Sequence, residues 1–350
     1  MDGDIPVLDI TGFSDDPWSL TSLDFVDELG AAMHHYGFAY LEGHGVDPAL
    51  DIAVHDIARE FFEASDNERA QIAVTNSPHV RGHTRLGMEH GGTQPDWREI
   101  VEFGPERRPV TPVDGQPAWL CLRGPNQWPH HIVADSQPVI TAWMAELDRV
   151  SRWLLRALAL ALGQPIDRFD SAVLPDPEVL VRMIRYPAAP VLSRGTLGKA
   201  VHHDLGLITL VHHDAGDGLQ MWHDDAYLDI PARPGAYVLN LGDIMRRASR
   251  GYFRAARHRV VSPTTSRERL ALAYFFNPSL EASMPAVDLP EPIARQLGHR
   301  LLTNDGDAMV GTFGDVWLAA RLLAHPDVAA LHHPELFARM QLQARRGSQA

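Results

Sequence analysis

The sequence predicts a mostly β protein with flanking helices. Between Val179 and Pro278 the chain runs in short β-type segments separated by turns, the pattern of a sandwich or barrel. Ahead of them Ser136–Leu162 carries one continuous apolar stripe at helical spacing, and helical spacing returns after Glu291. With 350 residues, 45% of them apolar and 22% charged, the chain can bury a sizeable core.

Ile5–Ile10 reads as a short strand, and Leu23–His35 as a helix ending before Gly37. Phe38–Leu41 is a second strand, closed by the turn Glu42-Gly43-His44-Gly45. Residues Pro48–Ala64 space Leu50, Val54, Ile57, Ala58, Phe61 and Phe62 helically. Asn76–Gln127 is rich in Gly, Pro and Arg and lacks periodicity, so loop with short strands is expected. In Ser136–Leu162 the stripe is Ile140, Trp143, Met144, Leu147, Val150, Leu154, Leu158 and Ala161, and Gly163 ends it. The β runs are Val179–Tyr186, Gly206–His212, Gly218–Trp222, Ala226–Ile230, Ala236–Leu239, Ala256–Val261 and Leu270–Phe276. No internal repeat or low-complexity linker interrupts the chain. A single domain over 1–350 is expected, with N-terminal strands and helices (1–178), a β core (179–280) and a helical C-terminal segment (281–350).

A formal charge of −14 argues against nucleic-acid binding and against docking on an anionic membrane. The local run Arg246, Arg247, Arg250, Arg254, Arg257 and Arg259 is most simply a solvated face. Lys199 is the only lysine, which argues against Schiff-base or general-base lysine chemistry. The single cysteine, Cys121, excludes an intramolecular disulfide and any multi-thiolate metal site. Met1–Val7 has neither the basic nor the apolar region of a signal peptide, and no run of eighteen apolar residues exists. A cytoplasmic location is expected. No feature specifies an oligomeric state.

Three His-x-Asp triplets stand close together: His202/Asp204, His212/Asp214 and His223/Asp225. In a strand, residues i and i+2 point to one side, so each pair can offer two ligands to one ion. His223–Asp225 falls where one β run turns back into the next, and His212–Asp214 enters a Gly/Asp loop; both read as turns. His202/Asp204 instead enters the Gly206–His212 run. His258 follows fifty-four residues after Asp204 in a later β run, and Arg269 eleven residues beyond that. Two imidazoles and one carboxylate bind one face of an iron(II) ion and leave the other open. An arginine at the floor of a barrel can grip a carboxylate bidentately.

With these residues the chain resembles the isopenicillin N synthase-like branch of the iron(II)/2-oxoglutarate-dependent dioxygenases. The likeness runs nearly full length, through Ile5–Ile10, Gly37–Val46, Leu239-Asn240-Leu241-Gly242-Asp243 and Arg269–Pro278. It implies a double-stranded β-helix (jelly-roll, cupin-like) core. His202, Asp204 and His258 match the iron ligands. Arg269 matches the arginine that binds the distal carboxylate of 2-oxoglutarate, and Tyr186 an aromatic beside that pocket. Ala271 stands where the family has a serine. Within the branch, Gly82–Ile100 resembles the bacterial ethylene-forming enzymes, with departures at Gly91 and Leu323. On that likeness Glu89 and Arg182 are candidate substrate contacts, joined by His83 and Trp317, with Arg81 and Arg85 as further candidates.

The resemblance implies an oxygenase that uses Fe(II), 2-oxoglutarate and O2 to hydroxylate, desaturate or cyclise a small polar or amino-acid-like molecule, releasing succinate and CO2. Two other readings stand beside it. One is an oxidase or cyclase of the isopenicillin N synthase type that does not use 2-oxoglutarate. The other is a metal-binding or small-molecule-binding protein on the same fold without turnover. A zinc hydrolase is disfavoured, since no His-Glu-x-x-His motif is present.

Overall fold

The computed structural model describes residues 5–89, 96–174, 176–188, 197–213, 218–263, 268–297 and 311–347. Two sheets dominate it. The strands are β1 (Val7–Asp9), β2 (Phe38–Glu42), β3 (Gly82–Thr84), β4 (Glu99–Phe103), β5 (Glu178–Tyr186) and β6 (Leu197–His202), followed by β7 (Ile208–His213), β8 (Leu219–His223), β9 (Ala226–Asp229), β10 (Tyr237–Leu241), β11 (His258–Val261) and β12 (Arg269–Asn277). The larger sheet has the order β1-β2-β10-β7-β12-β5-β4-β3 and the smaller β6-β11-β8-β9. All pairings are antiparallel except β1 with β2. This is the expected jelly-roll core with flanking helices.

The larger sheet is buried on both faces, and strand parity sorts its side chains. On β5, Val179, Val181 and Met183 join the core under the helices, while Ile184 and Tyr186 join the core between the sheets. On β12, Leu270, Leu272, Tyr274 and Phe276 face the helices, while Ala271 and Ala273 face the smaller sheet. Burial on both faces is why the interiors of these strands are mostly apolar, with Arg182 and Arg185 as the exceptions on β5. Small alanines at the inward positions of β12 leave room between the sheets.

The helix Ser136–Ala161 backs the larger sheet and packs on the helices Leu20–His35 and Pro48–Glu63. Its stripe residues Ile140, Trp143, Leu147, Val150, Leu154 and Leu158 are wholly buried. Truncating one of the leucines to alanine costs about 2–5 kcal/mol. Trp143 also donates its Nε1–H to Asp51 Oδ1 at 2.8 Å, which satisfies both buried groups.

Several expected boundaries move for visible reasons. The first long helix begins at Leu20 rather than Leu23, because Ser19 caps it and accepts from the Ser22 amide at 3.1 Å. The Asn76–Gln127 region supplies β3 and β4, which extend the larger sheet beyond β5. Strand β6 was not expected. Its sequence, Leu-Gly-Lys-Ala-Val-His, lacks a clean alternation, and pairing with β11 makes it a strand. No described helix is long and apolar enough to cross a membrane.

The arginine cluster after residue 245 is a set of locally partnered side chains. Arg246 and Arg247 both bind Asp243, Arg250 donates to the Val287 carbonyl, and Arg257 and Arg259 lie over Trp222 and Tyr227.

Candidate metal centre and its two cavities

His202 is the last residue of β6, and His258 is its direct partner across the sheet at the start of β11. Asp204 lies in the crossover that carries the chain from the smaller sheet into β7 of the larger one. The expectation that His202 and Asp204 share one face of the Gly206–His212 strand is therefore corrected: they approach each other through a turn. His203, between them, points elsewhere and bonds the Ala255 carbonyl through Nδ1 at 2.6 Å. The crossover needs a glycine at 206, where a Cβ would lie 1.7 Å from Asn277 Oδ1.

The ligand atoms of His202, Asp204 and His258 lie within 4.8 Å of one another. Asp204 Oδ1 is 3.6 Å from His202 Nε2 and 3.7 Å from His258 Nε2. The remaining polar atom of each group is already engaged. His202 Nδ1 bonds the Ala200 carbonyl at 2.9 Å, and His258 Nδ1 bonds the Ala256 carbonyl at 3.1 Å. A carbonyl only accepts, so each Nδ1 carries the proton and each Nε2 offers a lone pair. Asp204 Oδ2 accepts from Thr209 Oγ1 and Asn240 Nδ2, both at 2.7 Å, which leaves Oδ1 turned to the imidazoles. This is how outer partners orient metal ligands.

The charge states agree. Burial would raise the Asp204 carboxyl, but the His258 and His202 imidazoles and the bond from Asn240 outweigh it and hold it far below its ordinary value. Burial and the neighbouring His202 push His258 down to about 4, against the opposing pull of Asp204. At neutral pH the set includes one carboxylate and neutral His258. The donor set suits iron(II).

Two cavities meet at His202 and Asp204. The first runs between the sheets to Arg269 and is walled by Ile184, Leu219, Val260 and Ala271. Arg269 is 1% exposed, and its Cζ lies 5.0 Å from the Tyr186 ring centre, its cross-strand partner on β5. The second cavity opens on the other side, bordered by Glu89, Arg182, Trp317, Arg321 and Phe275.

The structure thus gathers Glu89, Arg182 and Trp317 as expected, and leaves His83 out. His83 bonds Glu99 Oε1 at 2.6 Å and lines a separate hollow with Arg69 and Arg85, behind β4. Its position on β3 puts it opposite Val101, on the helix side of the sheet. Arg81 is buried and paired to Glu178 at 3.1 Å. Leu323 is exposed, and Gly91 lies outside the described residues.

The two other triplets behave as turns or packing groups. Asp224 and Asp225 have φ of +44° and +64° and form the two-residue hairpin turn between β8 and β9, with His223 stacked on Tyr36. His212 Nδ1 lies 2.8 Å from His55 Nε2 under the helices, and Asp214 lies outside the described residues.

Sequence reasoning missed a buried ion-pair chain beside the centre. Arg98 donates to Glu89 Oε2 at 2.8 Å, and Arg182 reaches Glu89 Oε1 at 3.0 Å and Glu102 Oε1 at 2.7 Å. Arg321 closes on Glu102 with Nη1 at 2.9 Å. Lys199 Nζ meets Asp96 Oδ2 at 2.6 Å. The cost of burying Glu89 and Glu102 is outweighed by these arginines, which hold both carboxyls well below the ordinary range. The available signal was alternation: Arg98, just before β4, stands two residues from Ile100 and four from Glu102.

Residues 5–131 match the family model described as non-haem dioxygenase in morphine synthesis N-terminal, and residues 177–278 match that of the 2OG-Fe(II) oxygenase superfamily. A homoarginine-6-hydroxylase of Oryza sativa subsp. japonica is 30% identical over 295 residues, covering 81% of this chain and 88% of that protein. A 2-oxoglutarate-dependent dioxygenase of Talaromyces stipitatus is 29% identical over 320 residues, covering 86% and 96%. Among solved structures, a full-length Neurospora crassa protein in complex with alpha-KG shares the fold, with a TM-score of 0.74 at 23% identity over 92% of this chain and 97% of that one.

Proposed function

The chain belongs to the 2-oxoglutarate- and iron(II)-dependent oxygenase superfamily, and on that premise we propose that His202, Asp204 and His258 hold its iron and that Arg269 binds the distal carboxylate of 2-oxoglutarate. The observation that carries this reading is the convergence of three ligand atoms whose other polar atoms are tied down, at the mouth of a cavity that ends on a buried arginine. When bound, iron(II) and 2-oxoglutarate supply the oxidising chemistry with O2, and succinate and CO2 leave.

The chain's own residues position and exclude. Thr209 and Asn240 fix the rotamer of Asp204, and the Ala200 and Ala256 carbonyls fix both imidazoles. Tyr186 packs beside the Arg269 guanidinium, and Ala271 leaves that end to the arginine where a hydroxyl would add a contact. Apolar walls at Ile184, Leu219 and Val260 keep water from the co-substrate. The substrate, a small polar molecule, takes the second cavity, bordered by Glu89, Arg182 and Trp317.

The test is metal and co-substrate binding by the purified protein. One iron(II) per chain and saturable 2-oxoglutarate binding are expected, both lost in Asp204→Ala, with only the second weakened, by about 10–100-fold, in Arg269→Leu. Retention of stoichiometric iron by Asp204→Ala would overturn the ligand assignment.

A further inference from the structure

The second cavity carries a charge imbalance. Four cationic side chains border it: Arg98, Arg182, Lys199 and Arg321. Three carboxylates hold them, since Glu89 bridges Arg98 and Arg182, Glu102 bridges Arg182 and Arg321, and Asp96 holds Lys199 with Arg98 at 3.8 Å. His325, 3.5 Å from Glu102, does not alter the count, because burial pushes it down to about 4 and leaves it neutral. Among the described residues, the cluster therefore holds one positive charge beyond its carboxylates. Arg98, Arg321 and all three carboxylates are at most 4% exposed, so solvent does little to screen it.

The metal side does not supply the missing anion. Iron(II), Asp204, the 2-oxoglutarate dianion and Arg269 cancel in formal charge. Nor is there a carboxylate to receive a cation. Both oxygens of Glu89 are engaged, and Asp204 Oδ1 faces the imidazoles. An incoming ammonium or guanidinium would meet a wall with one positive charge in excess. The uncharged part of the wall is mainly apolar, with Leu180, Leu205, Phe275, Trp317, Ala320 and Ala324, and Asn277 is its polar amide.

We infer that the substrate is a small carboxylate with an apolar or aromatic body and no cationic group, its carboxylate docked at Lys199 and Arg98. This rests on the oxygenase reading above and narrows it. Lys199 and Arg98 border both cavities, and so stand between the metal centre and the arginine–glutamate chain. A carboxylate held there leaves its apolar body against Phe275 and Trp317, beside His202 and Asp204.

The experiment uses protein loaded with iron(II) and 2-oxoglutarate without oxygen. Its probes are matched sets with one body and three heads: 3-phenylpropionate, 3-phenylpropanamide and 3-phenylpropylamine, the corresponding hexyl series, and homoarginine. Binding is read by calorimetry, and 2-oxoglutarate consumption after oxygen is admitted. Carboxylates are expected to bind at least about tenfold more tightly than their amides, to weaken with added salt, and to stimulate 2-oxoglutarate consumption. Lys199→Gln is expected to weaken carboxylate binding by about tenfold and leave 2-oxoglutarate affinity unchanged, while Lys199→Arg retains both. The inference is overturned if the amines or homoarginine bind as tightly as the carboxylates, if no carboxylate binds, or if Lys199→Gln weakens 2-oxoglutarate instead. Failure of the oxygenase reading shows separately, as loss of 2-oxoglutarate binding to the iron-loaded wild-type protein.

Discussion

On one side of His202 and Asp204 the cavity wall is mainly apolar beyond the shared Arg98 and Lys199 and ends on Arg269 against Tyr186; on the other it is a chain of arginines and carboxylates from Arg98 to Arg321. The same strands build both. β5 gives Tyr186 to the first cavity and Arg182 to the second, and both residues face inward. They are four residues apart, or about 13 Å along a strand. Parity decides that a side chain faces the interior, and distance along the strand decides which ligand it meets. The difference in chemistry follows: the first side suits a ligand of fixed charge and shape, while the second is locked by its own ion pairs and leaves one charge for a guest.

That contrast can be broken experimentally. The largest effect should come at the shared point. Asp204→Ala removes the only carboxylate of the centre, and 2-oxoglutarate-dependent succinate release should fall to background.

Next is Glu102→Gln, which leaves Arg182 and Arg321 buried beside a neutral amide. Denaturant unfolding should show a loss of about 3–5 kcal/mol with 2-oxoglutarate affinity unchanged. An equal loss of 2-oxoglutarate affinity would mean that the two sides are not separate. Arg269→Leu should do the reverse, weakening 2-oxoglutarate binding by about 10–100-fold, the worth of hydrogen bonds to a charged group, with little effect on substrate binding.

A smaller effect is expected for Thr209→Val, which deletes one bond to Asp204 Oδ2. Iron affinity, read by competition with a chelator, should drop by about tenfold or more, since outer partners of metal ligands carry that much.

The last concerns pH. Burial depresses His325 in the folded protein to about 4 from an ordinary 6.5. Between those values the unfolded chain takes up a proton that the folded one does not, so stability falls as pH falls. The slope from this group is about 1.4 kcal/mol per pH unit. His325→Asn should flatten the stability profile between pH 6 and 4 by about that slope; an unchanged profile would show that His325 accepts its proton without unfolding.

Much of the fold was legible because its signals are local. The stripe from Ile140 to Leu158, the turn at Asp224-Asp225 and the runs that became β5 and β12 each follow from the period of a few neighbouring side chains. Strand β6 was not legible, because its partner β11 lies far along the chain. The proposed metal ligands were readable as a pattern of residue types, although the turn that joins His202 to Asp204 was misread as a strand. His83 was misplaced for a related reason. A loop sequence does not say which face of a sheet it will join, and β3 set this residue on the helix side.

By itself the sequence determined the architecture class, the family and the chemical type of the centre, since two histidines, one aspartate and a following arginine are recognisable as residue types in order. Only the tertiary structure decided the charge of the second cavity. Glu102, Lys199 and Arg321 come from separate elements, with Arg98 just ahead of the first, and each looks like an ordinary charged residue in its own segment. Whether buried charges cancel depends on which side chains share one low-dielectric space, and that is a property of packing between distant segments.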